Sequence, residues 1–232
     1  MNLKSVSFVI PMYNEAGGIE STVKSIARMA EQLTEDYEII LADDASSDDS
    51  AAIADRIAAK DPRVKVEHLK VNTKFGGALK AGLKRAAKDV VVYTDSDLPI
   101  TFHDVKGALS LLEGADIVTA YSRVRKGETL KRVIMSKVYN FLIQFLFKAN
   151  IRDINSGFKI YKRKVFTDMD IISKSPFVDV EIFVRAIRKK FTIKQYPVIF
   201  KHREAGASYI SRPAVILATI RDMLKFKCQK SS

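Results

Sequence analysis

The first half of the chain alternates short apolar runs with segments of helical periodicity, and this order constrains the fold more than any other feature. Between the runs, apolar residues recur at intervals of three and four, as Ile19, Val23 and Ile26 do. Strands that alternate with helices form βαβ units, whose strands pair in parallel. The sequence therefore predicts an α/β fold with a mainly parallel, doubly wound sheet flanked by helices. The strand candidates are residues 6–10, 38–42, 64–68, 90–94 and 116–121.

The length of 232 residues is enough for a full hydrophobic core and predicts a single domain. The first strand candidate begins almost at once, so we expect no signal peptide. The single cysteine, Cys228, excludes an internal disulfide framework and a cysteine metal cluster, and it fits a reducing cytosol. No stretch reaches the roughly 18–20 apolar residues that span a bilayer. We therefore expect a cytoplasmic protein.

The net charge of +12 is divided unevenly along the chain. Residues 1–116 contain 14 Lys and Arg against 19 Asp and Glu, whereas residues 117–232 contain 25 against 8. Such asymmetry indicates a polyanionic partner for the second half: a nucleic acid, an anionic membrane or phosphorylated ligands. A basic solvated surface without a partner is the alternative.

Two carboxylates, Asp95 and Asp97, follow directly on the apolar strand candidate 90–94. Acidic groups are costly beside a buried strand unless a cation or another partner neutralises them. Mg²⁺ prefers carboxylate oxygens and often shares its coordination with substrate phosphates. The Asp-x-Asp pair is therefore a candidate metal–diphosphate site, although two solvated loop aspartates would give the same pattern.

Polar residues follow the other predicted strands as well, and in an open parallel sheet these loops meet at one crevice. The first turn lacks the Gly-x-Gly-x-x-Gly pattern, which weighs against a dinucleotide oxidoreductase. The residues at the strand ends are Tyr13, Asn14 and Glu15, then Asp43 and Asp44, then the segment 72–78, and finally Asp95 and Asp97.

Three segments of the first half resemble the landmarks of family 2 glycosyltransferases with the GT-A fold. They are Val9-Ile-Pro-Met-Tyr-Asn-Glu15, Leu41-Ala-Asp-Asp-Ala-Ser-Ser-Asp48 and Tyr93-Thr-Asp-Ser-Asp-Leu98. The second half is similar to the polyprenyl-phosphate hexose synthases, which are the dolichyl-phosphate mannose synthases and their glucosyl relatives. The segments that carry this likeness are Tyr121-Ser-Arg123, Arg152-Asp-Ile-Asn-Ser-Gly-Phe-Lys159, Val178-Asp-Val-Glu181 and Arg203-Glu-Ala-Gly-Ala-Ser208.

The resemblance implies a metal-dependent inverting transferase that moves a hexose from a nucleoside-diphosphate sugar to a polyprenyl or dolichyl phosphate. GDP-mannose is preferred as the donor over UDP-glucose. Two departures, Pro99 where some mannose synthases have a Gln near the metal and Tyr209 where a Lys is common, make the donor sugar harder to assign than the reaction class. Residues 1–120 would form the nucleotide-sugar-binding half, and residues 121–212 the acceptor half.

Roles for donor-site residues come from the same resemblance. Pro11, Tyr13 and Glu15 would hold the base and ribose, Ala42 would contribute its backbone, and Asp44 would accept a hydrogen bond from a ring N–H. Asp95 and Asp97, with the Ser96 backbone, would hold Mg²⁺ or Mn²⁺ on the donor diphosphate. The residues given catalytic roles are Asp97, Arg123 and Arg203.

The acceptor side would bind phosphate groups through basic and hydroxyl side chains. Guanidinium groups suit phosphate oxygens, so Arg123 and Arg203 are expected to meet the phosphates of donor and acceptor. A lipid phosphate is already ionised near neutral pH, so positioning and charge neutralisation would supply most of the catalysis. The further acceptor-site residues are Lys131, Arg132, Ser156, Lys159 and Ser208.

An amphipathic helix is predicted over residues 131–149. Lys137, Asn140, Gln144 and Lys148 would line one side, leaving a wide apolar side with Ile134, Val138, Phe141, Leu142, Phe145 and Leu146. This pattern fits a helix lying in the membrane interface. A helix docked on the sheet, or one in a dimer contact, is the alternative.

A second basic helix is expected after Pro213, within residues 213–232. Mannose synthases of this type bear transmembrane helices or rely on membrane-protein helper subunits and surface attachment. We therefore expect peripheral association with the cytoplasmic face of a membrane.

Two other functions remain open at the level of sequence. Transfer to a glycan or protein hydroxyl would need a general base, for which Asp179 and Glu181 are candidates. A nucleic-acid-binding module would show a basic stripe with interleaved base-stacking aromatics. The aromatic cluster at 139–147 lies instead on an apolar helix, so we expect no nucleic-acid partner.

Overall fold

A seven-stranded sheet forms the centre of the structure, a computed structural model that describes residues 3–123, 130–200 and 213–228, with the backbone alone for 130–136 and 213. The strands follow the order β3-β2-β1-β4-β6-β5-β7, and only β6 runs antiparallel to its neighbours. Their bounds are β1 Val6–Met12, β2 Tyr37–Asp43, β3 Val64–His68, β4 Val90–Thr94, β5 Ile117–Ser122, β6 Phe158–Lys162 and β7 Ile193–Val198. The predicted α/β class and mainly parallel sheet are confirmed.

Helices cover both faces of this sheet. Successive residues of a strand point to opposite faces, so Phe8 and Ile10 of β1 join one core cluster and Val9 joins the other. The first cluster is closed by α1 (Ile19–Glu31), α2 (Ser50–Lys60) and α4 (Phe102–Leu111). The second is closed by α3 (Lys74–Arg85), α5 (Leu130–Phe147), α6 (Phe177–Arg188) and α7 (Pro213–Cys228).

The direction of the strands brings their loops together. Because β6 alone is reversed, its amino end lies at the same edge of the sheet as the carboxyl ends of the other strands. We call this side the carboxyl edge. It collects the segments that follow β1, β2, β3, β4, β5 and β7, together with the segment that precedes β6.

Helix α5 docks through one side and exposes the other. Asn140 and Ile143 are buried, and Tyr139 and Phe147 pack against the core. Asn140, predicted to line one side of the helix with Lys137, Gln144 and Lys148, is buried whereas those three are exposed. Its Oδ1 accepts a hydrogen bond from the Ile154 backbone N–H (3.3 Å). The exposed apolar side chains are Val138, Phe141, Leu142 and Phe145.

Helix α7 shows the same division. Val215 and Phe226 are buried, whereas Leu217, Ile220 and Leu224 are exposed. The rings of Phe147, Phe177 and Phe226 meet at centroid distances of 5.7–5.9 Å and join α5, α6 and α7. Within the described ranges, no helix is both long enough and apolar enough to cross a membrane.

Candidate active site

The Asp95–Asp97 turn lies where β4 ends, at the carboxyl edge. The Asp95 backbone N–H donates to the Gly157 carbonyl (3.1 Å), and its Oδ1 accepts from the phenol of Tyr93 (2.5 Å). The chain then turns through Leu98, which has a φ of 42° and whose backbone N–H donates to the Asp95 carbonyl (3.1 Å). Asp95 is half-buried and Asp97 is exposed.

Ser96 anchors the same turn to the opposite face of the sheet. Its side chain is buried, and its carbonyl accepts a hydrogen bond from Thr22 Oγ1 of α1 (2.6 Å). The turn is thus held from α1 on one side and from the segment before β6 on the other. A backbone fixed in this way presents the two carboxylates with little conformational freedom.

The carboxylate pair fits a hard divalent cation. Among the residues that the structure describes, no group of three or more His, Cys, Asp or Glu side chains could hold a metal by itself. Mg²⁺ is commonly bound by one or two carboxylates together with substrate phosphates and water. Asp95 and Asp97 provide that donor set, so the turn suits a cation that arrives with a diphosphate.

The loops after β1 and β2 form one hydrogen-bonded unit. Pro11 and Ala42 are register partners in β1 and β2, and both are buried. Asn14, with a φ of 57°, accepts from the Ser47 backbone N–H through its Oδ1 (2.8 Å). Beside this unit the Tyr13 side chain is 46% exposed, as a ring that stacks on a base would need to be.

Glu15 begins the turn into α1. Its backbone N–H donates to Ser50 Oγ (2.7 Å), and its side chain is half-buried. The hydroxyl of Ser50 also donates to Asp48 (2.5 Å). The entry to α1 is therefore tied to the entry to α2, and both lie at the carboxyl edge.

Asp44 is buried and tied to the start of α3. Its Oδ1 accepts from the Thr73 backbone N–H (2.6 Å) and from Thr73 Oγ1 (2.8 Å). Burial raises the pKa of this carboxyl above its ordinary value, although the bonds from Thr73 act in the opposite direction. Asp44 thus links the β2 loop to α3, and its bond to a nucleotide base stays a prediction.

His68 is a residue of this edge that sequence reasoning missed. Its Nδ1 lies 3.0 Å from Asp43 and its Nε2 lies 3.0 Å from Asp55. The bonds to Asp55 and Asp43 raise the pKa of the imidazole. The position of His68 at the end of β3 could have indicated this contact, because His68 lies directly opposite Asp43 in the strand register.

The predicted phosphate-binding residues are only partly within the described ranges. Arg123 is exposed at the end of β5, where its backbone N–H donates to the Val198 carbonyl (2.8 Å). Ser156 is buried just before β6. Arg203 and Ser208 lie outside the described residues, as do the side chains of Lys131 and Arg132 on α5.

Lys159 lies in the interior of the protein. It sits in the middle of β6, is fully buried, and places its ammonium 3.0 Å from Asp179 Oδ1 of α6. The pKa of Asp179 is raised to about 6 because burial outweighs the opposing effect of the neighbouring Lys159. A direct contact between Lys159 and a phosphate would require the ammonium to leave this pair.

Glu181, the other carboxylate offered as a general base, is also engaged inside the protein. It accepts from the backbone N–H groups of Ile172 (3.0 Å) and Ser173 (2.8 Å), and it pairs with Arg185 (2.8 Å). Its side chain is fully buried. Both carboxylates therefore hold α6 to its surroundings.

Comparison with known proteins gives this edge its context. Residues 7–169 match the model of glycosyl transferase family 2. The chain is 31% identical to the glycosyltransferase AglD of Haloferax volcanii over 202 residues, which is 83% of this chain and 32% of AglD. It is 31% identical to a polyprenol monophosphomannose synthase of Mycolicibacterium smegmatis over 216 residues, covering 88% of this chain and 80% of the synthase. It is 30% identical to an undecaprenyl-phosphate mannosyltransferase of Micrococcus luteus over 213 residues, covering 88% of this chain and 86% of the mannosyltransferase.

Solved structures show the same fold. Glucosyl-3-phosphoglycerate synthase from Mycobacterium tuberculosis, crystallised with Mn²⁺, uridine diphosphate and phosphoglyceric acid, aligns over 99% of this chain and 80% of its own, with a TM-score of 0.72 and 22% identity. Its complex with phosphoglyceric acid aligns with a TM-score of 0.75. The predicted GT-A architecture is thereby confirmed. From its sequence match over residues 7–169 and its identity to curated relatives, this chain belongs to glycosyltransferase family 2.

Proposed function

We propose that this chain transfers a hexose from a nucleoside-diphosphate sugar to a polyprenyl phosphate, with inversion at the anomeric carbon. The observation that carries the proposal is the burial of Asp179 and Glu181 in ion pairs, while the Asp95–Asp97 turn lies at the carboxyl edge. A hydroxyl acceptor needs a base to take its proton, and both predicted bases are occupied inside the protein. A phosphate acceptor is already ionised and has no such need.

The donor would bind along the carboxyl edge. Tyr13, exposed beside Pro11 and Ala42, would stack on the base, and Asp44 would accept from a ring N–H. Mg²⁺ or Mn²⁺, when bound by Asp95 and Asp97, would neutralise charge on the departing nucleoside diphosphate. The rigid Ser96 turn would hold these two carboxylates in place before the donor arrives.

The acceptor phosphate would approach from the side of β5 and β7. One of its oxygens attacks the anomeric carbon, and the bond from that carbon to the nucleoside diphosphate breaks. No proton is transferred in this step. Arg123, at the end of β5, would orient phosphate oxygens, and Arg203, in the segment after β7, would do the same.

The donor sugar is proposed to be mannose. Two relatives, from M. smegmatis and M. luteus, are named for mannosyl transfer to polyprenyl lipids. GDP-mannose is accordingly our preferred donor over UDP-glucose.

The acceptor lipid implies contact with a membrane surface. Phe141 and Phe145 on α5 are 64% and 75% exposed and stack on one another at 6.4 Å. Basic side chains flank the exposed apolar faces: Lys137 on α5, Lys148 directly after it, and Arg221 and Lys225 on α7. Apolar insertion combined with attraction to anionic head groups binds such helices at the interface. A membrane-protein helper subunit would compete for the same face.

The test is a panel of nucleotide sugars incubated with a short polyprenyl phosphate and Mn²⁺, with lipid-linked sugar detected by mass. We expect the largest yield with GDP-mannose. Transfer from UDP-glucose alone would correct the donor, and the absence of lipid-linked sugar with every donor would overturn the proposal.

A further inference from the structure

The Asp95 carboxylate has a close neighbour at each of its oxygens. Its Oδ1 accepts a hydrogen bond from the Tyr93 phenol (2.5 Å). A Cβ atom at Gly157 would lie only 2.4 Å from Oδ2, so a residue with a side chain at this position would press against the carboxylate. Tyr93 and Gly157 therefore both lie close to this carboxylate.

Tyr93 reaches Asp95 because residues two apart on a strand point to the same face. The ring itself is locked. It is 2% exposed, Phe75 of α3 meets it edge-on at a centroid distance of 6.1 Å, and the Lys159 ammonium lies 5.0 Å from its centroid. Lys159 is also the register partner of Tyr93 across β4 and β6. The phenol thus has a fixed direction.

We infer that Tyr93 is a positioning residue, which holds the Asp95 carboxylate in the orientation that binds the cation of the donor diphosphate. A carboxylate oxygen has two lone pairs, so the hydrogen bond from Tyr93 to Oδ1 is compatible with binding of a metal by the same carboxylate. Hydrogen bonds to ligating carboxylates orient them, and their loss typically costs about 10- to 100-fold in metal affinity or activity. The inference rests on the proposed function, because it needs Asp95 to bind a metal.

The role of the Lys159–Asp179 pair follows from the same geometry. Lys159 is fully buried, and its ammonium lies over the Tyr93 ring, 5.0 Å from the ring centroid. Asp179, 3.0 Å away on α6, neutralises the buried ammonium. The pair therefore supports the metal turn through Tyr93 and has no need to contact phosphate itself.

Tyr161 provides a matched control. It is a second fully buried tyrosine on the neighbouring strand β6, opposite Val91 of β4. Among the described residues its hydroxyl has no hydrogen-bond partner. Tyr161→Phe removes the same atom as Tyr93→Phe without removing a bond to Asp95.

The experiment measures binding of GDP and UDP to the full chain by calorimetry, with Mn²⁺ and with EDTA. For Tyr93→Phe we expect about a 10- to 100-fold loss of nucleotide affinity in Mn²⁺, with EDTA values unchanged. Tyr161→Phe should match the wild type in both. In turnover assays, Tyr93→Phe should raise the half-saturating Mn²⁺ concentration, and excess Mn²⁺ should largely restore kcat.

Gly157→Ala gives a second route to the same carboxylate. Its new methyl group would displace Asp95 from the Oδ2 side, so it should show the same Mn²⁺-specific loss, and it decides the matter if Tyr93→Phe does not fold. Tyr93→Phe affinities equal to those of Tyr161→Phe, or an equal loss in EDTA, would overturn the inference. A wild type whose nucleotide binding ignores Mn²⁺ would instead overturn the proposed function itself.

Discussion

The carboxyl edge and the outer faces of α5 and α7 are built in opposite ways. At the carboxyl edge, hydrogen bonds tie each loop to a neighbouring segment: Asn14 to Ser47, Asp44 to Thr73, and the Ser96 carbonyl to Thr22. On α5 and α7 the notable side chains are large, apolar and exposed. The first region is shaped before any ligand binds, as polar recognition requires. The second offers apolar area without fixed polar contacts, which suits a fluid lipid surface.

The largest effect should come from the carboxyl edge. Asp97→Ala should reduce transfer by at least about 1,000-fold, because a bound cation contributes several kcal/mol to charge stabilisation. The unfolding temperature should stay the same, since Asp97 is exposed. Asp170→Ala, which removes another exposed aspartate, is the control. Wild-type activity that survives excess EDTA would contradict the metal assignment.

The second largest effect on activity should come from replacing Arg123. Arg123→Ala should lower kcat by about 100-fold, the cost of losing one donor to developing charge. Arg123→Lys should recover only part of the rate, because it restores the charge without the fork of the guanidinium. The rates of both variants are compared at saturating donor. Equal activity in all three proteins would make Arg123 part of the basic surface and nothing more.

Asp44→Ala should specifically weaken the binding of the donor nucleotide. A hydrogen bond to a charged acceptor is worth about 1.5–3 kcal/mol, or roughly 10- to 100-fold in affinity. Because Asp44 also binds Thr73, its unfolding temperature must be measured beside nucleotide affinity. Thr73→Val removes the side-chain hydrogen bond to Asp44 and keeps the carboxylate. It should lower the unfolding temperature but change the nucleotide affinity little. Unchanged calorimetric affinity in Asp44→Ala would remove this loop from the base site.

The apolar faces should respond in a different assay. Replacing Phe141 and Phe145 with Ser should lower binding to anionic vesicles about tenfold, because each ring loses its apolar insertion. Activity on a short water-soluble polyprenyl phosphate should be spared. Val71→Ser is the control: it changes an apolar residue that is 66% exposed in the segment after β3, and it should leave vesicle binding unchanged. Aggregation of the double variant would assign the two rings to a protein contact.

The smallest effect is a pH dependence of stability. The pKa of His68 in the folded protein is raised above 6.5 by Asp55 and Asp43. Its stabilising contribution is therefore complete below pH 6.5 and is lost as the pH rises through the folded pKa. The unfolding temperature of the wild type should exceed that of His68→Gln most below that pH. A difference that grows with increasing pH would contradict the ion pairs.

The sequence predicted best what depends on local pattern. Strands β1 to β5 and their polar ends follow from apolar runs and from the parallel order of the sheet. Strand β6 was not predicted from the sequence. It alternates apolar and basic residues, as in Phe158, Lys159 and Ile160, and it begins within a segment that was interpreted as a binding motif. Strand β7 was not predicted either, because it is half-exposed and contains Pro197, so it shows no apolar run.

Burial of charge was the hardest feature to foresee. Lys159 looks like a surface cation until β6 is placed between β4 and β5 and α6 brings Asp179 beside it. Asn140 looks like a solvent-facing residue until Ile154 reaches it. Each partner is distant in sequence, so no spacing rule reveals it. The Tyr93–Asp95 bond, in contrast, has a local signal in the two-residue period of a strand.

The most direct test compares a polyprenyl phosphate with the matching polyprenol as acceptors, using GDP-mannose, Mn²⁺ and the full chain. We predict mannosyl transfer to the phosphate, its loss in EDTA, and no transfer to the alcohol, because Asp179 and Glu181 are held in buried ion pairs. Transfer to the alcohol at a comparable rate would show that a general base operates at this edge, and it would contradict a reaction that depends on an ionised phosphate acceptor.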